Sequence, residues 1–427
     1  MQIDAMTHAS RFWSVVFATG ALISTDVRCE DEDALALQAA PSSESGKESP
    51  FRLAFEASVG RIERTQGLAA QDGRRVALDL RYSSTLSPAW RFSFSDRLDD
   101  IHPMPDGQRP TRNSLRELYA AWQEQGSETS IEVGRINLRN GPAMGCNPTD
   151  YFRAGALRTI TTADPIALRE NRLGTGMLRV SRLGADAGYS IAIAPKLDSP
   201  DDKDNAFSPA FGATNSNHRI LLTGNARLSE RINFQGLALA ERGRSPAVGA
   251  STTALLSDAV VAYGEWSYEK SHSLRDDILN LPASPKRYHK AAIGMTYTLP
   301  TGLAVTAEAE YNGAGLDREA WLQVLSRGPA AYERFVALTQ PSQELGSVRA
   351  WLIYATQKGV GLKQLDLTGF MRQNAHDHSR LVWAELRYHW DRFDAALQWQ
   401  RSSGTDRSEF GVIPYRQIVL LQGTWYF

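Results

Sequence analysis

Three histidines stand where their chemistry could count. His376 and His378 flank Asp377 in the polar stretch Gln373 to Ser379, and His389 follows Glu385 and Arg387 at alternate positions, one face of an extended chain. Imidazole beside carboxylate is the material of acid–base catalysis, and a His-Asp-His run can hold a metal ion. Neither arrangement is completed elsewhere. The sequence has no Gly-x-Ser-x-Gly elbow and no HExxH helix. The two cysteines, Cys29 and Cys146, lie outside any CxxC spacing. A solvated loop is the plainer reading of residues 373–379, and no catalytic residue, metal or cofactor is assigned.

The chemistry that remains is charge. Arg75, Asp79, Arg81, Arg91, Glu265, Glu308, Glu310, Asp366, Glu385 and Arg387 each fall on the polar side of a segment that alternates with period two, as do Arg219, Arg227 and Arg372. Val76, Leu78, Leu80 and Tyr82 oppose Arg75, Asp79 and Arg81. Trp90, Phe92 and Phe94 oppose Arg91, Ser93 and Ser95. Val382, Ala384, Leu386, Tyr388 and Trp390 oppose Trp383, Glu385, Arg387 and His389. Such segments are strands, and they recur from Phe51 to Phe427 without a linker. The whole chain of 427 residues has a formal net charge of -1, so no excess charge points to nucleic acid.

A soluble sandwich alternates too, with its apolar face inward. Three features select a membrane barrel instead. Aromatic residues gather at segment ends, as at Trp266/Tyr268, Tyr311, Tyr388/Trp390 and Trp425, where interfacial girdles belong. Connections alternate short and long. Ser84 to Pro88, Gly184 to Gly188, Ser229 to Arg231, Ser257-Asp258, Pro300 to Gly302 and Asp391-Arg392 are tight; Asp99 to Arg112, Arg139 to Arg172, Lys196 to Asn217, His272 to Lys286 and Gly313 to Gly346 are long. The last segment, Arg416 to Phe427, places Val419, Leu421, Trp425 and Phe427 on one face and stops, and Trp425 and Phe427 resemble an assembly signal read by the barrel-assembly machinery. The expected fold is all-β: one transmembrane antiparallel β-barrel of about 18 strands, with short periplasmic turns and long extracellular loops.

No segment has the length of uninterrupted apolar sequence that a membrane helix needs, so insertion would use strands. Arg11 followed by the apolar run Phe12 to Ser24 has the form of a secretory signal, giving a signal peptide over 1–29, a flexible periplasmic segment over 30–50 and the barrel over 51–427. Asp26-Val27-Arg28 lacks the small apolar residues that lipid anchoring at Cys29 would want.

The stretches Gly134 to Gly141, Asn147-Pro148-Thr149-Asp150-Tyr151-Phe152, Thr298 to Leu303 and Glu310 to Leu316 resemble a group of porin-like proteins of Gram-negative outer membranes. More distantly, the Asn-Pro-Thr-Asp loop and the strand count are similar to alginate-export-type barrels. The resemblance implies a channel in the cell outer membrane and carries over no catalytic or ligand residues. Its partners would be outer-membrane lipid and small hydrophilic solutes that diffuse passively. An exporter of an acidic polysaccharide and a surface barrel hydrolase are the contrasting expectations. Two loops could narrow such a pore: 139–172 is long enough to fold inward, and 313–346 offers an N-cap at Asp317 and a helical pair with one apolar face.

Overall fold

The computed structural model describes residues 49–65, 69–103, 109–197 and 205–427, so the expected signal segment 1–29 lies outside the described residues. Eighteen antiparallel strands follow one another in sequence order. They are β1 (Phe51–Arg64), β2 (Gln71–Ser87), β3 (Trp90–His102), β4 (Thr111–Gln123), β5 (Thr129–Ile136), β6 (Thr175–Leu183), β7 (Ala187–Ala194), β8 (Arg219–Ser229) and β9 (Ile232–Glu241). The second half comprises β10 (Ala247–Ser257), β11 (Val260–Ser271), β12 (Lys286–Thr298), β13 (Ala304–Asn312), β14 (Arg349–Gln357), β15 (Leu365–Asn374), β16 (Arg380–His389), β17 (Phe393–Ser403) and β18 (Tyr415–Tyr426). Each strand pairs with its sequence neighbours, and β18 pairs back on β1 from Ala54↔Tyr426 to Arg64↔Tyr415, which closes the sheet.

Antiparallel neighbours joined by tight turns need no crossover, so the ends of the barrel differ by loop length alone. One end carries residues 88–89, 184–186, 230–231, 258–259, 299–303 and 390–392 as its turns, together with the start of β1 and the end of β18. The other carries the long connections 137–174, 195–218, 272–285 and 313–348 and the shorter ones 65–70, 103–110, 242–246, 375–379 and 404–414. Two connections at the short end, 124–128 and 358–364, are absent from the turns read in the sequence. Among the described residues the long end holds five α-helices: α1 (Pro165–Glu170), α2 (Phe211–Thr214), α3 (Leu274–Leu279), α4 (Arg318–Ser326) and α5 (Pro329–Thr339).

The alternation sorts the side chains inside out relative to a soluble protein. Val76, Leu178, Leu222, Ile353 and Leu397 face away from the barrel, and Ile293 and Leu421 are 67% and 56% exposed. Glu56, Asp79, Arg97, Asp99 and Arg116 face inward, with Arg116 only 2% exposed. No globular fold in water leaves its branched aliphatic residues out and its arginines in, because each Ile or Leu so exposed forgoes about 1.5–3 kcal/mol of burial.

This arrangement predicts a sign that separates lipid from water outside the wall. Replacing Ile293 by Arg is expected to lower the stability of the barrel in lipid vesicles by about 2–4 kcal/mol, measured by denaturant titration. An exposed position in a water-soluble protein would tolerate the same change within about 0.5 kcal/mol.

Candidate functional site: a loop folded into the lumen

Residues 137–174 leave β5 and do not stay at the rim. Their first part crosses the interior and binds the opposite wall. Glu265 of β11 accepts the backbone N–H of Ala143 at 2.6 Å, the N–H of Thr149 at 3.2 Å and the Thr149 hydroxyl at 2.9 Å. Glu308 of β13 accepts the N–H of Met144 at 2.8 Å and of Gly145 at 3.0 Å, and the Tyr263 hydroxyl at 2.7 Å. Each carboxylate thus takes the place of a neighbouring strand for backbone that has none. Glu310 next along β13 is paired with Arg372 at 2.5 Å, and Arg372 also donates to the Gly145 carbonyl at 3.3 Å.

Small residues make this approach possible. Gly141 has φ +80°, and a Cβ there would overlap the Glu265 carboxylate; one at Gly145 would overlap Glu310. Met144 then inserts among Leu352, Tyr354, Phe370 and Trp383 of β14, β15 and β16. Cys146 is a free, fully buried thiol packed with Leu345 and Ala350. Burial pushes it up to about 12, so it is a packing group and not a thiolate.

The rest of the loop is tied to itself and to the side it came from. Arg172 pairs with Asp150 at 2.8 Å, and Arg169 donates to the carbonyls of Asn140 and Gly141 at 2.7 and 2.9 Å. Phe152 packs on Ile136, Met177, Leu221 and Leu237, inner-face residues of β5 to β9 and their margins, with the Arg219 guanidinium 4.5 Å above its ring. That sector of the interior is apolar. Strands β6 to β9 present Ala192, Ala194, Leu221 and Leu239 inward, where a loop and not water lies against them.

The wall itself is completed by loops where β5 ends early. β4 pairs with β5 only over Leu118 to Gln123. Above that, Gly174 donates to the Arg116 carbonyl at 2.7 Å and Asn113 donates to the Ala206 carbonyl at 2.7 Å. Arg135 holds both additions, donating to the carbonyls of Gly174 and Pro209 and stacking over Phe211 of α2 at 4.7 Å.

All of the charged residues singled out in the sequence stand on the inner face of their strands, in different company. Arg75 bonds Glu56 at 3.0 Å and Asp99 at 3.3 Å; Asp79 receives Arg116 at 2.6 Å and Arg97 at 3.1 Å. Arg81 reaches Asp79 at 3.2 Å, yet its side chain stays 49% exposed and within electrostatic reach of Glu170 at the end of α1. Arg91 lies on the same face, opposite Ala121. Arg387 pairs with Glu385 at 2.8 Å, while His389 sits between Asp394 at 2.9 Å and Asp366 at 3.3 Å. The His376-Asp377-His378 turn is knit by Asp377, which accepts from Ser379 and from the Glu409 backbone at 2.8 Å. Sequence reading missed Asp150, Arg169 and Arg172, whose role depends on the loop closing on itself. It also missed Asp164, which caps α1 by accepting the Ile166 N–H at 3.1 Å.

The helical pair expected in 313–346 is present. Asp317 caps α4 by accepting from Ala320 at 2.8 Å, and Pro329 opens α5. Their apolar faces meet α3 through Trp321, Val324, Phe335 and Ile278. The segment after α5 reaches the infolded loop, where Arg153 pairs with Glu344 at 2.5 Å and Leu157 donates to the Pro341 carbonyl at 3.1 Å. Burial alone would raise the Glu344 carboxyl, but Arg153 and Lys290 hold it below the usual range.

A closed barrel with a long loop bound across its lumen defines a porin-type architecture. No protein-family model matches the chain, and no curated protein matches it. Solved outer-membrane porins are similar in fold. Acinetobacter baumannii OccAB1 aligns with TM-score 0.56 and 11% identity over 88% of this chain and 96% of that one. Pseudomonas aeruginosa OccK5 (OpdH) gives 0.53 and 13% over 90% and 99%, and P. aeruginosa OpdL gives 0.53 and 11% over 88% and 98%. At such identity the likeness is one of fold alone.

Two outcomes test the site. Gly141→Val combines a side chain at positive φ, about 1–2 kcal/mol of strain, with the clash against Glu265. It is expected to speed amide exchange across 141–149 and to open Arg139 and Arg153 to trypsin while the strands stay protected. The second concerns Asp164, whose carboxyl burial pushes up to about 6, with Glu385 and Glu170 adding to the rise and the α1 backbone N–H groups opposing it. It is anionic above that pH and neutral below. Taking the protein from pH 7 to pH 5 should therefore remove negative charge from the lumen and shift the reversal potential in a salt gradient toward less cation preference, and Asp164→Asn should reduce the shift.

Proposed function

We propose that the chain is an outer-membrane channel through which small hydrophilic solutes diffuse passively, with no enzymatic step. One observation carries this reading: a closed wall whose apolar residues face out all round, enclosing an interior lined with charged and polar side chains. Lipid outside and water inside are the surroundings that make both faces favourable. The long-loop end is then extracellular and both ends of the sheet are periplasmic. In the same reading, Trp425, packed on Phe55 and Phe393 with ring centroids 5.9 and 4.6 Å away, and Phe427 at the chain end form the signal for the barrel-assembly machinery.

The path of the solute follows the part of the wall that the loop covers least, from the margin of β16 through β17 and β18 to β1, β2 and β3. There Arg75, Asp79, Arg81, Arg91, Glu385 and Arg387 face the lumen, with Asp366 on the adjoining β15, and Asp164 and Glu170 approach from the loop. Glu265, Glu308 and Glu310 belong to the same wall but act on the loop. Most of the acidic and basic groups along the path neutralise one another, so Arg81 with Glu170 opposite sets the local field that a charged solute meets.

The Asn147-Pro148-Thr149-Asp150 segment, the feature similar to alginate-export-type barrels, is engaged in anchoring. Thr149 binds Glu265 and Asp150 binds Arg172. That use accounts for the motif without a polysaccharide, which leaves the channel ahead of the exporter.

Refolded protein in a planar bilayer should give single-channel current well below that of an unobstructed barrel of this strand number. Glu265→Gln with Glu308→Gln should increase both the conductance and its fluctuation as the loop loosens. Absence of ion current under conditions where a general porin conducts would sink the reading.

A further inference from the structure

The outer face of the barrel is not uniform. Along β10 to β18 the outward residues of every strand are free of carboxylates, whereas five of them are cations: Lys270, Arg287, Arg349, Arg380 and Arg401. All five are exposed, and each lies within the last or first three residues of its strand at the long-loop end. None has an ion-pair partner among the described residues. At the same end of β6 to β9 the outward positions are apolar, as at Leu178, Ile193 and Ile220. On β1 and β2 the cations are mixed with acids, and Arg61 lies 3.6 Å from Asp72.

The cations also stand next to one another. Lys270 is directly opposite Arg287 in the β11–β12 register. Arg380 is opposite Ser403 and Arg401 opposite Val382, which makes Arg380 and Arg401 diagonal neighbours. Like charges opposed across a ladder repel, so these couples disfavour the folded wall unless an anion lies over them. Directly below Lys270 and Arg287 is a ring cluster. Tyr268 and His289 are 4.9 Å apart, and Trp266 donates through Nε1 to His289 Nδ1 at 3.2 Å. Further round, Tyr311 pairs with Arg349, and Trp351 is exposed beneath them. Below these lies the aliphatic surface of Ile293, Met295 and Ile353. From the rim downward the order is cation, aromatic, hydrocarbon, which is the order of phosphate, interface and acyl chain in a leaflet of anionic lipid.

We propose that the outer face of β11 to β17 at the long-loop end is a binding surface for a phosphate-bearing lipid headgroup, seated on the Lys270–Arg287 and Arg380–Arg401 couples with its acyl chains on the apolar belt below. This inference rests on the reading of the barrel as membrane-spanning and adds a lipid of defined chemistry to it. The occupant is a lipid and not a free anion, because the cations are continuous with an apolar surface that only an acyl chain can cover. The surface lies outside the wall, so it takes no part in conduction.

The test uses the full chain in detergent, titrated with lipid A and with its dephosphorylated counterpart, and reads the retained lipid by native mass spectrometry. Wild type should retain the phosphorylated form preferentially. Lys270→Gln with Arg287→Gln should weaken that retention by about 10- to 30-fold, the scale of two cation–lipid contacts, and Arg380→Gln with Arg401→Gln should do likewise. Arg61→Gln with Arg74→Gln, on the mixed sector, should leave it unchanged, and every variant should conduct as wild type does. Equal retention of the two lipids, insensitivity to both cation pairs, or displacement by millimolar inorganic phosphate would overturn the proposal. Protein that retains lipid A preferentially yet passes no current would remove the channel reading and leave this one standing. Failure to enter vesicles at all would remove both.

Discussion

Backbone hydrogen bonding without water governs this molecule. A strand in hydrocarbon must satisfy every N–H and C=O within the protein, each orphan costing several kcal/mol, and a sheet does so only by having no edge. The β1–β18 ladder supplies that closure. Once the sheet is closed, the pleat leaves one freedom, which face turns inward, and period two settles it for all strands together, since a slip of one residue would place arginines in lipid. The Glu56, Asp79 and Asp99 network with Arg75, Arg97 and Arg116 is a consequence. Charges confined to one face are driven together, and they are tolerable there because carboxylates and guanidinium groups answer one another within about 3 Å.

The same closure creates a second difficulty. Eighteen strands enclose more space than their own inward side chains can fill. The chain resolves it with residues 137–174, but an irregular segment carries backbone groups of its own. Glu265 and Glu308 answer that need. A carboxylate accepting several N–H groups gains about 1.5–3 kcal/mol for each, and among the described residues neither forms a salt bridge with an arginine as the acids of β1 to β3 do. Two inward carboxylates thus diverge in role from that of Asp79 because of what lies opposite them in the lumen.

That divergence marks the limit of what a sequence read alone discloses. The strands and their number were legible because each depends on neighbours a few residues apart: the pleat on i and i+2, the turns on Gly, Pro, Asp and Ser at strand ends. The helical pair after Asp317 was legible for the same reason. The destination of the infolded loop was not, since Met144 meets Glu308 across more than a hundred residues. Two signals were nonetheless present. The small residues Gly141, Ala143 and Gly145 in a polar loop mark backbone that something must approach closely. Runs such as Ile191 to Ala194 and Leu237 to Ala240, apolar on both faces, mark a sector of wall with no water on either side.

Strand number is therefore a poor guide to what such a barrel admits. It sets the outer circumference, whereas the space available to a solute is what remains after the loop and the dry sector behind Phe152 are subtracted. The remainder is bounded on one side by rigid wall and on the other by a segment whose hold depends on Glu265, Glu308 and the internal Asp150–Arg172 pair. Charge on the wall is fixed and mostly self-neutralised, but charge on the loop includes Asp164, poised to change within the physiological range. In the proposed channel the width and the sign of the narrowest region are both properties of the loop, and the barrel contributes the frame against which that loop is held.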